Sequence, residues 1–305
     1  YSLESISKLI DPHIGGATML DINLIREKPD LVRTALKNRQ MDSSSVDDIL
    51  RLDEKRRVLL TEVEQLKAER NTVSKEIGKM KDAVEHEKKI AAMREVGDRI
   101  AALDKEVTDV ETELTSLTSA LPNIPDERTP IGASEDENVV LRTVGQLPEF
   151  DFEPKAHWDL GPALGVIDFE RGAKLTGSRF YILSGAGARL QRALIAFMLD
   201  LHIRQGYTEK YLPFMVKTAT MFGAGQLPKF ADNLYKDHEE DLYFVPTAEV
   251  PITGMHMDEI IDDAQLPLLY TGYTPCFRRE KMSAGRDVRG IKRGHQFDKV
   301  EMYMF

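Results

Sequence analysis

Cysteine is scarce in this sequence, because Cys276 is the only one among 305 residues. A single thiol cannot form an internal disulfide or supply a cysteine-rich zinc site. No stretch approaches the run of about 20 apolar residues that a membrane-spanning helix requires. Residues 1–18 lack both the apolar core of a secretory signal and an arginine-rich amphipathic pattern. We therefore expect a cytoplasmic protein that has no contact with a membrane.

An excess of positive charge is also missing, since the formal net charge is −10. Indiscriminate binding to nucleic acid needs lysine and arginine to displace counterions, so this charge argues against it without excluding a local basic face. Neither glycine-rich nucleotide loop, G-x-G-x-x-G or G-x-x-x-x-G-K-[ST], is present, and a Rossmann or P-loop site is not expected. No cluster of His, Cys and carboxylate residues has zinc spacing.

Two runs of residues recur at seven-residue spacing and predict a long coiled coil. The first has the seam Leu52, Leu59, Leu66, Val73 and Met80 with the companion row Ile49, Arg56, Val63, Arg70 and Ile77. The second has the seam Met93, Ile100, Val107, Leu114 and Leu121 with the companion row Val96, Leu103, Val110 and Leu117. Two such helices joined by one short connection favour an antiparallel hairpin, roughly 45 Å long for about 30 residues per helix.

Proline and composition suggest the domain boundaries. Met19 is a more natural start than Tyr1, so residues 1–18 are interpreted as an extension of uncertain origin. Two short helical pieces, separated at Pro29, precede the long hairpin. Pro122 and Pro125 end the second long helix, which makes residues 19–121 a helical arm. Residues 122–150 are acidic and turn-rich, as in a linker, and residues 151–305 are predicted to form a second domain.

The second domain alternates short apolar runs with glycine, proline and aromatic residues. Its periodicity predicts an amphipathic helix from near Gly187 to Gly206. The predicted strands cover residues 207–216, 241–246, 268–273, 274–280 and 294–303. Strands joined by short loops beside a few helices predict an α+β fold with an antiparallel sheet.

The last two predicted strands enclose a cationic loop that contains Arg286, Arg289, Lys292 and Arg293. Because alternate residues of a strand share a face, Arg278 and Glu280 are predicted to point the same way, as are Phe297, Lys299 and Glu301. If the two faces converge, they offer an arginine fork for phosphate, an aromatic ring for a base and carboxylates for donor groups. Such a set suits a nucleotide and a small cationic head group, whereas the alternative is a solvated, charge-rich hairpin.

The hairpin, TPCFRREKMSAGRDVRGIKRGHQFDKVE at residues 274–301, resembles motif 2 of class II aminoacyl-tRNA synthetases, and of the seryl enzymes in particular. The segment MLDINLIREKPDLVRTALKNR and the heptad hairpin resemble the start and the tRNA-gripping arm of the bacterial-type seryl enzyme. HWDLG, IDFERGAKLTGSRFYILSGAGARLQRALIAFMLDLH and GQLPKF resemble the first part of its catalytic domain, including motif 1. VPTAEVPITG resembles its serine-binding segment.

The resemblance implies that ATP and L-serine react to give seryl-adenylate, whose seryl group then passes to the 3′ end of tRNA(Ser). Arg278 would be the catalytic residue that bridges the α-phosphate and the serine carboxylate. Glu280 would accept a hydrogen bond from the adenine amine, and Phe297 would stack on the adenine ring. The other implied ATP-binding residues are Arg279, Arg293 and Arg286. The implied metal is Mg²⁺ carried by ATP, with no complete protein site assigned to it.

The implied serine-binding residues are Thr247, Ala248, Glu249, Arg278 and Glu301. Buried carboxylates suit the ammonium and hydroxyl groups of serine, and an analogue without the hydroxyl leaves an acceptor unpaired. Structural alternatives remain for two residues: Thr247 could cap a helix that begins at Glu249, and Phe297 could belong to the core. His295 is assigned a structural role, since phosphoryl transfer depends on positioning and electrostatics. Cys276 is interpreted as a buried small residue.

The resemblance also implies two macromolecular contacts. Residues 187–213 resemble the dimer-forming motif 1 and imply a homodimer. On the arm, the implied tRNA-binding residues are Arg56, Arg70, Lys75 and Lys79. The alternative for these four residues is ordinary solvated coiled-coil charge.

The sequence departs from the family pattern in several places. Lys281, Met282 and Ser283 stand where the family usually has Ala-Gly-Ser, and Ala224 replaces the usual threonine. The glycine-rich motif 3, with its phosphate-binding arginine, is expected beyond Phe305, so the catalytic domain is interpreted as truncated and this fragment as inactive alone. Two alternatives are a synthetase-like paralogue that loads another carrier and an inactive coiled-coil RNA-binding protein.

Overall fold

A computed structural model describes residues 20–78, 80–281 and 289–305. The chain separates into two compact units, with the division between Thr143 and Val144. Several residues named above lie outside the described ranges: the extension 1–18, Met19, Lys79, Met282, Ser283 and Arg286.

The first unit contains four helices in its described residues. They are α1 (Ile22–Glu27), α2 (Pro29–Asn38), α3 (Ser45–Ile77) and α4 (Ala83–Ala120). The predicted break between the two short pieces is confirmed, since Pro29 occupies the first turn of α2, where its missing N–H costs nothing. α4 ends at Ala120, directly before Leu121 and Pro122, as the proline argument predicts. A single 3₁₀ turn follows at Glu135–Glu137.

The long hairpin is antiparallel, which confirms the prediction from the heptads. Ion pairs join later residues of α3 to earlier residues of α4: Lys55–Glu106 at 2.7 Å, Glu62–Arg99 at 2.8 Å and Glu76–Lys89 at 2.9 Å. The buried residues between the helices are those of the two predicted seams, including Ile49, Leu52, Leu59, Val63, Leu103, Val107 and Val110. Arg56 interrupts the apolar seam, and its charge is paired across the hairpin, because its Nε donates to Glu111 Oε1 at 2.7 Å.

An ion pair between the partly exposed Arg26 and the buried carboxylate of Asp53 joins the short helices to the base of the arm. Asp53 is 1% exposed. It accepts hydrogen bonds from Arg26 Nε at 2.8 Å and Arg26 Nη2 at 2.9 Å, and from Arg57 Nε at 3.2 Å. The hydrogen bond from Arg26 outweighs burial and lowers the pKa of the Asp53 carboxyl below its ordinary value.

We expect Asp53→Asn to lower the free energy of unfolding of the first unit by about 2–3 kcal/mol at neutral pH, because the bidentate, charge-assisted contact is lost. A folded-state pKa below the unfolded value stabilises the fold above the unfolded pKa, and that contribution disappears as pH falls through the folded pKa. The difference between wild type and Asp53→Asn should therefore shrink below about pH 4. Urea unfolding followed by circular dichroism measures it, and a difference that is independent of pH would contradict the assignment.

The second unit is an α+β unit. Outside residues 282–288, its helices and strands are α5 (His157–Ala163), β1 (Ile167–Asp168), α6 (Phe169–Thr176), β2 (Ile182–Leu183), α7 (Ala186–Arg204), β3 (Thr208–Glu209), β4 (Met215–Val216), α8 (Thr218–Gly223), β5 (Tyr243–Phe244), α9 (Glu249–Gly254), β6 (Leu269–Phe277) and β7 (Gln296–Met304). Single 3₁₀ turns lie at Ala231–Asn233 and Asp263–Gln265. The predicted helix from near Gly187 to Gly206 is confirmed as α7.

In the part of the unit that the structure describes, these strands form three small sheets. β3, β6 and β7 form the largest, while β1 pairs with β2 and β4 with β5. The pairs β1–β2, β4–β5 and β6–β7 are antiparallel, as expected, but β3 is parallel to β6. The core between α9 and the largest sheet contains Leu212, Ala248, Ile252 and Tyr270.

Two strand predictions were wrong in detail. The predicted strands 268–273 and 274–280 are one continuous strand, β6, because every residue from Leu269 to Phe277 is paired with β7. The predicted strand 207–216 is two separate strands, β3 and β4, which pair with different partners, β6 and β5. Pro213 lies between β3 and β4 and has no N–H for a ladder. Among the described helices, none is long and apolar enough to cross a membrane.

Candidate active site

Strands β6 and β7 form the floor of the candidate site. Their register places Gly272 opposite Glu301, Thr274 opposite Lys299 and Cys276 opposite Phe297. Alternate residues of a strand share a face, so Phe297, Lys299 and Glu301 lie on one face of the sheet, as predicted.

A short extended segment after β5 brings the predicted serine-binding residues to this floor. The Phe277 N–H donates to Val245 O at 3.0 Å, and Arg278 Nε donates to Pro246 O at 3.0 Å. Helix α9 begins at Glu249, directly after the buried residues Thr247 and Ala248. Backbone contacts therefore fix this segment against the end of β6.

The residues meet in a cavity of about 390 Å³ whose lining includes Thr247, Glu249, Arg278, Glu280, Arg293 and Lys299. Five of the six are residues that the sequence proposed for ATP or serine. Arg293 Nη1 lies 3.2 Å from Glu280 Oε2, and the Glu280 side chain is only 11% exposed. Three cationic and two anionic side chains thus share one small space, an arrangement suited to a ligand that carries charge of both signs.

One end of the site is a hydrogen-bonded group of three side chains. The Thr247 hydroxyl donates to Glu301 Oε2 at 2.7 Å. Lys299 Nζ donates to Thr247 Oγ1 at 2.8 Å and lies 2.5 Å from Glu301 Oε2. The Glu249 N–H also points to Thr247 Oγ1, at 3.3 Å. The alternative that Thr247 caps α9 was wrong, because the N-cap is Ala248 and no side chain caps the helix. The Thr247 hydroxyl is instead part of the predicted serine site.

Arg278 is held from two sides. Its Cζ lies 5.0 Å from the centre of the Phe297 ring, a cation–π distance. Its carbonyl oxygen lies 2.9 Å from His295 Nδ1, and its N–H donates to His295 O at 2.9 Å. These contacts support the structural role assigned to His295, because they keep the backbone at Arg278 in place.

The alternation argument for Arg278 and Glu280 was wrong, although both side chains reach the same cavity. β6 ends at Phe277, and the Arg279 N–H donates to Asn233 O at 2.9 Å rather than to β7. Glu280 has a left-handed backbone, with φ of 48°, which is unusual for a residue with a side chain. Arg279 is exposed and does not line the cavity.

A second cavity, of about 510 Å³, is lined by Tyr273 and Asp298 from the opposite face of β6 and β7, and Phe297 borders it as well. The Tyr273 hydroxyl donates to Asp298 Oδ1 at 2.9 Å, and burial with this partner raises the pKa of Tyr273 to about 12. Cys276 is fully buried, as predicted, and burial raises the pKa of its thiol. Phe297 therefore borders a different cavity from Arg278 even though the two side chains touch.

The end of the cationic loop is attached to α5, a contact that the sequence did not predict. The Ile291 N–H donates to His157 Nε2 at 2.9 Å, and Arg289 Cζ lies 4.6 Å from the centre of the Trp158 ring. Gly290 has φ of 72°, and a Cβ there would meet His157 Nε2 at 1.9 Å, so only glycine permits this approach. In the sequence, only the adjacent aromatic residues His157 and Trp158 of HWDLG could have indicated this contact.

Sequence reasoning also missed other members of the cavity wall. Gln226 and Phe230 line it from the GQLPKF segment, and Asn233 follows closely. Lys299 was placed on the correct face but given no role. Among the residues that the structure describes, no group of three or more His, Cys, Asp or Glu side chains could hold a metal ion.

Family comparisons define first the class of this protein. The model described as "tRNA synthetase class II core domain (G, H, P, S and T)" matches residues 230–305, which include β6, β7 and most of the cavity wall. The model described as "Seryl-tRNA synthetase N-terminal domain" matches residues 19–125, which include the helical hairpin. The fold is therefore that of a class II synthetase core with an N-terminal helical arm.

Individual relatives identify the family within this class of synthetases. The serine–tRNA ligase of Roseiflexus castenholzii is 64% identical over 94% of this chain, which spans 68% of that protein, and that of Chloroflexus aurantiacus is 56% identical with the same coverage. The seryl-tRNA synthetase of Pyrococcus horikoshii, solved in complex with ATP, has a TM-score of 0.84 and 40% identity over 94% of this chain and 69% of its own. The cytoplasmic serine–tRNA ligase of Naegleria fowleri, solved with AMP, has a TM-score of 0.76 and 30% identity over 93% of this chain and 66% of its own. The chain belongs to the serine–tRNA ligase family.

Proposed function

We propose that this chain supplies the serine-activating site and the tRNA-binding arm of a serine–tRNA ligase. The single observation that carries the proposal is the shared cavity of Arg278, Glu280, Arg293, Thr247 and Glu249, to which Glu301 is joined through Thr247. The serine–tRNA ligases that this chain matches, one of them bound to ATP, support the same activity. The two alternatives, a ligase for another carrier and an inactive RNA-binding protein, have no support in these comparisons.

In the first step, a serine carboxylate oxygen attacks the α-phosphorus of ATP, and the bond to the pyrophosphate leaving group breaks. Negative charge grows on the phosphoryl oxygens, and a positioned arginine stabilises it in a site with little water. Arg278 is suited to this role because Pro246, His295 and Phe297 hold it in place before the substrates arrive. Mg²⁺ enters as part of the ATP substrate and neutralises charge on the leaving pyrophosphate.

The adenine and serine ends of the cavity carry different carboxylates. Glu280 accepts a hydrogen bond from the adenine amine, and Arg293, which contacts Glu280, approaches the phosphates. Phe297 does not line this cavity but lies beside Arg278, and we assign it the stacking contact with the part of the adenine ring that extends past the cavity wall. At the other end is the serine site of Thr247, Glu249 and Glu301. The carboxylates of Glu249 and Glu301 accept hydrogen bonds from the ammonium and hydroxyl groups of serine, while the Thr247 hydroxyl holds Glu301. In the second step, the terminal ribose hydroxyl of tRNA(Ser) attacks the seryl carbonyl carbon, and AMP leaves.

Amino-acid-dependent ATP–pyrophosphate exchange by the full-length protein tests the proposal. We expect exchange with serine and at least about a hundredfold lower exchange with alanine, since a site built for a hydroxyl leaves its acceptor unpaired when the hydroxyl is missing. Threonine and glycine complete the comparison. Exchange with another amino acid but not with serine would overturn the assignment.

Two assembly features belong to the same proposal. The helix α7 exposes apolar side chains that suit a homodimer contact through residues 187–213, namely Leu190, Leu194, Phe197 and Ile203. On the arm, Arg70 and Lys75 are exposed in the distal half of α3, where they can reach the tRNA backbone. The reaction takes place in the cytoplasm, where its tRNA substrate is used.

A further inference from the structure

Lys299 lies between two residues that the proposed function assigns to serine. It is on the same face of β7 as Phe297 and Glu301, and its side chain is 33% exposed. Its ammonium contacts both Thr247 Oγ1, at 2.8 Å, and Glu301 Oε2, at 2.5 Å. Nothing in the catalytic scheme above uses this residue.

The direction of the hydrogen bonds around Thr247 gives Lys299 a role. A lysine ammonium can only donate, so Thr247 Oγ1 must accept from Lys299. The Glu249 N–H can also only donate, and it reaches the same oxygen at 3.3 Å. A threonine hydroxyl has one proton, and Glu301 Oε2 is the acceptor at 2.7 Å. The contacts of Lys299 thus commit the Thr247 proton to Glu301.

The same contacts orient Glu301. Both Lys299 and Thr247 engage Oε2, so the orientation of the carboxylate is set and Oε1 is engaged by neither of them. An oriented carboxylate oxygen is the acceptor that a substrate hydroxyl or ammonium requires, and fixing it before binding reduces the entropy that binding must overcome. A neutral side chain at position 299 would release both restraints.

We propose that Lys299 is a positioning residue for amino-acid selection, which acts on serine through Thr247 and Glu301 and does not take part in phosphoryl transfer. This inference rests on the proposed serine activation. It predicts that loss of the Lys299 ammonium weakens binding of serine far more than binding of ATP. It also predicts that the loss weakens binding of serine more than binding of alanine, because alanine has no hydroxyl to present to Glu301.

The test is steady-state ATP–pyrophosphate exchange with full-length Lys299→Met, Lys299→Arg and the matched control Lys217→Met, which removes an exposed lysine of the same unit. We expect Lys299→Met to raise the KM for serine about 10- to 100-fold, the range for hydrogen bonds to charged groups, while the KM for ATP stays within about twofold. The preference for serine over alanine should fall about tenfold. Lys299→Arg should retain most of the wild-type affinity for serine and most of the preference for serine over alanine, because a guanidinium group can also donate to two acceptors.

A double-mutant cycle with Thr247→Val separates positioning from general damage. Because Lys299 acts partly through Thr247 and partly through Glu301, Lys299→Met should raise the serine KM less in the Thr247→Val background than in the wild type, whereas independent effects multiply. An unchanged serine KM in Lys299→Met overturns the inference, as does a lower one, which would mean that the lysine competes with the substrate ammonium. If Lys299→Met does not fold, Lys299→Gln, which removes the charge but keeps a polar side chain, replaces it in the KM measurements and in the cycle, with the same expected changes. Absence of serine-dependent exchange in the wild type would instead overturn the proposed function.

Discussion

Replacing Arg278 with alanine is expected to lower serine-dependent ATP–pyrophosphate exchange about a thousandfold, the upper range for loss of one donor aimed at developing charge. The side chain lines the cavity that contains Thr247 and Glu280. Its contacts with Pro246 O and the Phe297 ring hold it there in the absence of substrate. Such a pre-positioned cation acts on the transition state, so the expected loss is in kcat as well as in the KM values.

Two further variants make this prediction specific. Arg278→Lys keeps the charge but loses the planar fork, and we expect it to retain at most about one hundredth of the activity. Arg171→Ala is the control, because Arg171 is exposed and its ion pair with Asp168 contributes little to stability. Exchange by a folded Arg278→Ala variant within tenfold of wild type would show that other residues stabilise the α-phosphate charge.

Shortening the arm is expected to abolish tRNA charging while sparing serine activation. Deletion of residues 66–100, with Gln65 joined to Ala101 by a short glycine–serine linker, removes the distal half of the hairpin. The base keeps its buried residues and its ion pairs Lys55–Glu106 and Arg56–Glu111. We expect at least about a hundredfold loss of charging, which corresponds to the removal of a few phosphate contacts, with exchange within about twofold. Both activities are measured on the same preparation.

A variant that removes charge without shortening the arm shows how much of the tRNA binding depends on the charged side chains rather than on the length of the arm. Arg70→Gln combined with Lys75→Gln leaves the hairpin intact, because both side chains are exposed. Each lost phosphate contact should reduce the slope of log affinity for tRNA against log salt by roughly 0.7 to 0.9. Arg56→Gln should differ, because the Arg56 guanidinium is paired with Glu111 and its loss weakens the hairpin first. Equal loss of exchange and charging in the shortened protein would contradict separate roles for the arm and the catalytic site.

The arm was predictable because its contacts are local in sequence. A heptad seam repeats every seven residues and needs only a partner of the same kind, and the nearest partner lies one turn away in the chain. The structure confirms both seams and the proline-defined end of α4, and adds what periodicity does not encode. Arg56, a polar interruption by sequence, proved to be an interhelical ion pair, and Asp53 proved to be the buried partner of Arg26.

The catalytic hairpin was predictable in outline and less so in detail. Alternation on β7 correctly grouped Phe297, Lys299 and Glu301, since the whole segment is strand. The same rule was applied to Glu280, which has a left-handed backbone beyond the end of β6. Asn233, 46 positions before Arg279, accepts the N–H of Arg279 and so ends the strand, and no local sequence pattern marks such a partner.

By itself the sequence determined the paired heptad helices, the α+β character of the second unit and which charged side chains the β6–β7 hairpin carries. It determined these because periodicity, proline and side-chain chemistry act over a few neighbouring residues. Only the tertiary structure decided that Thr247 donates to Glu301 and accepts from Lys299, and that Arg278 is held by Pro246 and His295. Those contacts join residues far apart in the chain, and their direction follows from which atoms meet and which of them carry protons.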